Sequence, residues 1–189
     1  MNKTIYWMLA IFAVHTLIAS DIYAYRERKD SFTKPQLGGW FGPVTPLGPT
    51  AKLVETNLGG GIFARVTFPY RYLKFGVDSS YQKFKSKGVN EIHFVPLYGN
   101  LLFQIPVDFP VRFQLKGGAG AGYLYVKPDK LDQWDPIFMT GLEISFPAGR
   151  YINIGLRIDY IYIYEGYIKG SKYGGHILNT GIQLYFNIF

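Results

Sequence analysis

Cysteine is absent from the 189 residues, which excludes disulfides, thiolate metal sites, cysteine nucleophiles and lipid attachment through an N-terminal cysteine. Charge is scarce as well, at 17% of the chain, against about 25% in an average globular domain. No apolar run is long enough for a membrane helix. The longest covers 5–18, roughly 14 residues where a span needs about 20. Convincing helical periodicity is missing throughout. The three histidines form no cluster with acids at metal-ligand spacing, so neither a metal nor a cofactor is expected. The net charge is +7, yet no basic run exceeds a few residues and no aromatic–basic RNA motif occurs. Nucleic acid is therefore not an expected partner.

What the chain does have is aromatic residues (16 Tyr and 15 Phe) and 22 glycines. Its start, Met1-Asn2-Lys3, is short and positive, the apolar run follows, and Ile22-Tyr23-Ala24 supplies a small-residue exit. This order is that of a signal peptide over 1–24, cleaved after Ala24, with Ala19 as the alternative site. A polar, flexible lead-in is expected over 25–34, and a single all-β domain over 35–189.

Eight strand-like runs are predicted at 35–44, 54–68, 72–83, 91–105, 111–126, 136–146, 151–166 and 174–189. The seventh is clearest, with Ile152, Ile154, Leu156, Ile158, Tyr160, Tyr162 and Tyr164 on one face and Asn153, Gly155, Arg157, Asp159 and Glu165 on the other. The fifth sets Phe113, Leu115, Ala119, Ala121, Tyr123 and Tyr125 against Arg112, Gln114, Lys116, Gly118, Gly120 and Gly122. Tight turns are expected at 68–71, 106–110 and 147–150, and longer links at 45–53, 84–90, 127–135 and 166–173.

Alternation alone does not say which face meets water. Three features place the apolar face outside. The polar face is crowded with glycine (Gly59, Gly61, Gly76, Gly118, Gly120, Gly122, Gly155, Gly181). A water-facing sheet has no use for so many, whereas the narrow interior of an eight-stranded barrel does. The same face carries charges of both signs at mid-strand, able to compensate each other in an interior network: Arg65, Lys74, Arg112, Lys116 and Arg157 with Asp78, Glu143 and Asp159. Aromatic residues of the apolar face also sort by rim. Tyr81, Tyr123, Tyr125, Tyr160, Tyr162 and Tyr164 lie toward the longer links. Phe68, Phe75, Phe103, Phe113, Phe146 and Phe186 lie toward the tight turns. The fold expected is an eight-stranded antiparallel up-and-down transmembrane β-barrel.

The export signal, eight strands and short turns resemble the small outer-membrane barrels of the OmpA/OmpX/OmpW-like group, over about 25–189. The ending is similar to the assembly signal of such barrels, with Leu184, Phe186 and a terminal Phe189. Phe189 is out of parity with Leu184, Phe186 and Ile188, a departure from the usual pattern. The resemblance implies residence in the cell outer membrane, contact with its lipid, and delivery by the barrel-assembly machinery.

Some barrels of this size cut or transfer lipid A acyl chains, and lipid A deacylases carry a serine two residues after the histidine. Here Val95 follows His93 and Leu178 follows His176, so both histidines read as interfacial and no catalytic residue is assigned. Gly118-Ala119-Gly120-Ala121-Gly122 has no following helix or Gly-Lys-Ser, and reads as space for a bulky neighbour rather than a phosphate loop. Loop lysines, among them Lys85, Lys87, Lys127, Lys130, Lys169 and Lys172, form the one plausible functional surface, suited to lipopolysaccharide. The expected function is a non-enzymatic, structural or surface-interaction barrel with a side-chain-filled lumen. A narrow channel for small apolar or ionic solutes is the alternative. A lipid A acyl-modifying enzyme and a soluble lipocalin-like carrier rank below it.

Overall fold

A computed structural model describes residues 34–67, 72–86, 91–107, 111–127, 131–149, 151–164 and 174–188. The expected signal peptide and nearly all of the lead-in lie outside these residues. Eight strands follow in chain order: β1 (Gln36–Pro46), β2 (Asn57–Thr67), β3 (Leu73–Lys85), β4 (Glu91–Gln104), β5 (Arg112–Lys127), β6 (Leu131–Pro147), β7 (Ile152–Ile163) and β8 (Gly175–Asn187). Each pairs antiparallel with its neighbour, and β1 pairs with β8, so the sheet closes on itself. Closure satisfies every edge, which is what lets a sheet cross lipid.

The register fixes the geometry. Partners followed from Ile163 run through Ile137, Gly120, Tyr98, Asp78, Phe63 and Gly38 to Tyr185. That is ten residues along β8 from Gly175, which Ile163 itself pairs with. A stagger of this size tilts the strands by about 35–45° and leaves an interior only wide enough for side chains. The closing seam skips two rungs, at Gly42 and at Pro43, the latter having no N–H to give. Gly42 keeps the two strands close there: a Cβ on it would lie 2.2 Å from the Thr180 carbonyl oxygen.

The two faces are opposite in character. Arg65, Lys74, Asp78, Gln114, Glu143, Arg157, Asp159 and Gln183 point inward and are fully buried, while Phe41, Ile62, Leu156 and Ile182 point outward at 61%, 69%, 58% and 62% exposure. Exposed apolar side chains occur on all eight strands (Leu37, Leu58, Val77, Leu101, Leu115, Phe138, Ile158 and Leu184 among them). A band this extensive is far larger than the patches water-soluble proteins leave uncovered, and it matches the lipid belt of a membrane barrel.

The structure departs from the sequence expectations in three places. β6 begins at Leu131 instead of 136, so the β5–β6 link shrinks from nine residues to 128–130. Asp132 and Asp135 read as loop residues, but Tyr125 pairs with Asp132 and Tyr123 with Trp134, carrying the hairpin to the margin of the apolar band at Trp134 and past it at Asp132. Link length consequently does not separate the rims, because 105–111 at the turn end is longer than 128–130 at the other. Only 47–56 and 164–174 are long. Finally, the inner face is not polar along its whole length. Val44, Phe84, Phe94, Ile137, Met139, Ile161, Ile163 and Ile177 are buried toward the loop rim. On β7, Ile161, Tyr162 and Ile163 are apolar on both faces, so alternation gives no sign there.

Candidate functional site

The lumen is where buried chemistry concentrates. Arg65 on β2 reaches across to Glu143 on β6, with Nη2 donating to both carboxylate oxygens at 2.8 and 2.9 Å. Arg157 on β7 crosses to Asp78 on β3, donating from Nη1 and Nη2 at 3.1 Å. Each pair joins strands on opposite walls, so the lumen is bridged twice. Lys116 Nζ ties the pairs together, donating to Glu143 Oε1 at 2.8 Å and Asp159 Oδ2 at 3.0 Å. Arg157 Nε also donates to Asp159 at 2.7 Å. Gln183 donates to Glu143 at 2.9 Å, and Asn100 donates to Asp78 at 2.6 Å. Three cations thus face three carboxylates, all removed from solvent. Burying a charge is tolerated when it is both paired and hydrogen-bonded, and here each is.

Aromatic rings complete the packing. The Arg65 guanidinium lies 4.0 Å from the Phe63 ring centroid, and that of Arg157 lies 4.9 Å from Trp40. These are cation–π distances, and a guanidinium stacks on a ring without giving up its in-plane bonds. Glycine supplies the clearance: a Cβ on Gly76 would fall 2.7 Å from Asn100 Oδ1, and one on Gly122 would fall 2.3 Å from the Phe94 ring. Gly120 and Gly122 of β5 thus lie directly against the inward residues Tyr98 and Phe94 of β4.

Of the eight inward charges singled out in the sequence, the structure joins six: Arg65, Asp78, Lys116, Glu143, Arg157 and Asp159. Lys74 and Arg112 lie nearer the turn rim. There Lys74 Nζ donates to the Lys34 carbonyl at 2.5 Å, and Arg112 donates to Asn153 Oδ1 at 3.4 Å. Glu143 pairs across the hairpin with Arg157; even so, it takes its ion pairs from Arg65 and Lys116. Sequence reasoning missed Tyr98, whose hydroxyl accepts from Arg157 at 3.3 Å, and the aromatic partners Phe63 and Trp40. An aromatic residue on the polar face of its strand, as Phe63 is, was the available signal.

The two histidines among the described residues, His93 and His176, face outward and share one arrangement. Tyr81 Oη lies 2.5 Å from His93 Nδ1 on the β3–β4 wall. Tyr160 Oη lies 2.5 Å from His176 Nδ1 on the β7–β8 wall, diametrically opposite. Tyr125 and Tyr162 pack as further rings beside them. Two Tyr–His–Tyr groups thus stand at the upper margin of the apolar band, where aromatic side chains with one polar end are favoured. Lys85 and Lys127 are exposed just above the first group. Lys87, Lys130, Lys169 and Lys172 lie outside the described residues.

The connection 47–56 carries a short 3-10 turn (Thr50–Lys52) and lies along the loop rim. Leu47 N donates to the His176 carbonyl at 2.9 Å, His176 N donates to Thr50 Oγ1 at 3.0 Å, and Glu55 N donates to the Lys85 carbonyl at 3.0 Å. Val54 turns inward and joins the apolar layer of Phe84, Phe94 and Ile163. From the turn rim upward, the lumen thus passes from the ionic lattice to a greasy cap.

A closed, eight-stranded, antiparallel barrel with an apolar belt, upper aromatic margin and charged interior is the fold of the small outer-membrane barrels. Among solved structures the chain is similar to neisserial surface protein A (NspA), with a TM-score of 0.64 at 10% identity over 82% of this chain and 97% of that one. It is also similar to the N-terminal β-barrel domain of OprF from Pseudomonas aeruginosa (0.53, 10% identity, 82% and 98%). A third is Ail, the attachment invasion locus protein of Yersinia pestis (0.50, 14% identity, 82% and 99%). No protein-family model matches the chain, and no curated protein matches it in sequence. At these identities the likeness is one of fold.

Proposed function

We propose that the protein is an exported, non-enzymatic barrel of the cell outer membrane whose lumen is closed and whose task is performed by its outer surface and loops. The observation that carries this is the pair of cross-lumen bridges, Arg65–Glu143 and Arg157–Asp78, under an apolar cap. A guanidinium held by a carboxylate from the opposite wall occupies the axis that a solute would have to follow. His93 and His176 are engaged by tyrosines on the lipid side, away from the carboxylates of the lumen, so the described residues do not assemble a nucleophile, base and orienting acid. The loop-rim lysines suit anionic headgroups, including those of lipopolysaccharide.

A narrow conduit is the second reading, and one observation favours it. Both polar side-chain atoms of Gln114 and of Asn179 are buried without a protein partner. Such groups call for water within the lumen.

The test is cell fractionation. The processed chain should begin near Tyr25, partition with outer membrane, and run at different gel mobility before and after heating, since closed barrels resist detergent until boiled. Recovery as a soluble periplasmic species would contradict the reading and favour a lipocalin-like carrier.

A further inference from the structure

The outer wall of β3–β5 differs from the rest of the barrel at the height of the loop rim. Lys83, Lys85, Glu91, His93, Tyr123, Tyr125 and Lys127 all stand outward, on three adjacent strands. Cross-strand pairing sets Lys85 opposite Glu91, Glu91 opposite Lys127, and Lys83 opposite His93. Glu91 is thus flanked by a cation on each side. Its carboxylate accepts from Lys83 at 2.9 Å and lies 3.7 Å from His93 Nε2. If the Tyr81 hydroxyl donates to His93 Nδ1, the ring's remaining proton is on Nε2, facing that carboxylate. Lys127 Nζ stands 6.0 Å from the Tyr125 ring centroid. Three lysines therefore face two acids, Glu91 among them and Asp132, bonded by Tyr123 at 3.3 Å, on the β6 side, which leaves an excess of one positive charge.

We infer that this wall is a seat for the phosphate of an anionic membrane lipid, and that Glu91 occupies the phosphate's place when no lipid is bound. This rests on the membrane reading above. The occupant is a lipid, not a soluble anion, because the patch continues directly into the apolar band: Tyr81, Leu97, Leu101 and Leu115 lie exposed on the same wall. A molecule with a phosphate at the lysines and acyl chains along these side chains matches both. Rings at the margin fix the headgroup plane, and lysines just above it meet the phosphate there. A lysine close to an anionic surface contributes about fivefold in affinity. The excess positive charge thus gives a measurable preference, and neutralising Glu91 strengthens it.

Trp134 provides the readout. It is 60% exposed on the lipid side and lies 5.2 Å from Tyr123 at the patch edge, whereas Trp40 is buried in the lumen. Trp7 falls in the expected signal peptide. The processed protein would be placed in phosphatidylcholine bilayers containing a small fraction of acyl-brominated phosphatidic acid. Quenching of Trp134 is then compared with that from brominated phosphatidylcholine at the same mole fraction. The expected result is several-fold enrichment of the anionic lipid, reduced toward parity by Lys85→Gln with Lys127→Gln and increased by Glu91→Gln. Equal quenching by both lipids in the unmodified protein, or enrichment that the lysine variants leave unchanged, would overturn the inference. So would binding of inorganic phosphate without any lipid preference. Loss of quenching by both lipids would instead place Trp134 outside the bilayer and sink the membrane reading itself.

Discussion

Arg157 concentrates the energetics of the lumen in one side chain. It donates to Asp78 and Asp159, meets the Tyr98 hydroxyl, and stacks on Trp40. Truncation would leave Asp78 without its cross-lumen cation and Asp159 with Lys116 alone, in a site that water does not reach. Removing one partner of a buried pair costs about 3–5 kcal/mol. Arg157→Ala should therefore lower the unfolding midpoint in detergent clearly. Lys83→Gln, at a half-exposed pair on the rim, should change it little, since such pairs contribute about 0–1 kcal/mol. Thermal unfolding followed by circular dichroism compares the two. Equal midpoints for Arg157→Ala and the unmodified protein would show that the lattice does not hold the barrel together.

At the scale of strands, the apolar band makes a claim that each element can test separately. Leu115 on β5 and Leu156 on β7 sit mid-strand on different walls, 49% and 58% exposed. An arginine at the bilayer midplane of a barrel costs about 2–4 kcal/mol. Leu115→Arg and Leu156→Arg should each reduce the yield of folded, heat-modifiable protein in vesicles; normal insertion of both would count against an outward apolar face. These faces were legible in the sequence because a half-buried strand repeats every two residues, and β7 shows that repeat from Ile152 to Tyr160. The start of β6 was not legible. Asp132 and Gln133 are polar on both faces at the rim, and Asp135 is a buried charge facing inward, so this stretch carries no apolar–polar alternation. The pairing of charges was legible only locally: Arg157 and Asp159 are two apart on one strand, whereas Arg65 and Glu143 are separated by 78 positions. Their meeting depends on a stagger accumulated over four strands. The apolar cap was hidden for a further reason, since Ile161 and Ile163 point inward between tyrosines that point to lipid.

For the whole molecule, the central claim is that the barrel is closed along its axis. Two salt bridges cross it from opposite walls, glycines draw inward rings tight against neighbouring strands, and Val54 with Phe84, Phe94 and Ile163 seals the loop end. The buried polar atoms of Gln114 and Asn179 leave room for water in places, but Gln114 stands on the turn side of Lys116 while Asn179 pairs with Asp159 and Val44 on the loop side, so the ion pairs stand between the two. The most direct measurement is single-channel conductance of the purified protein in planar bilayers. The unmodified barrel should show no ion conductance above the bare bilayer, and Arg65→Ala combined with Arg157→Ala should introduce it. A steady, ohmic conductance through the unmodified protein, unaltered by the double substitution, would contradict the closed lumen and establish a conduit in its place.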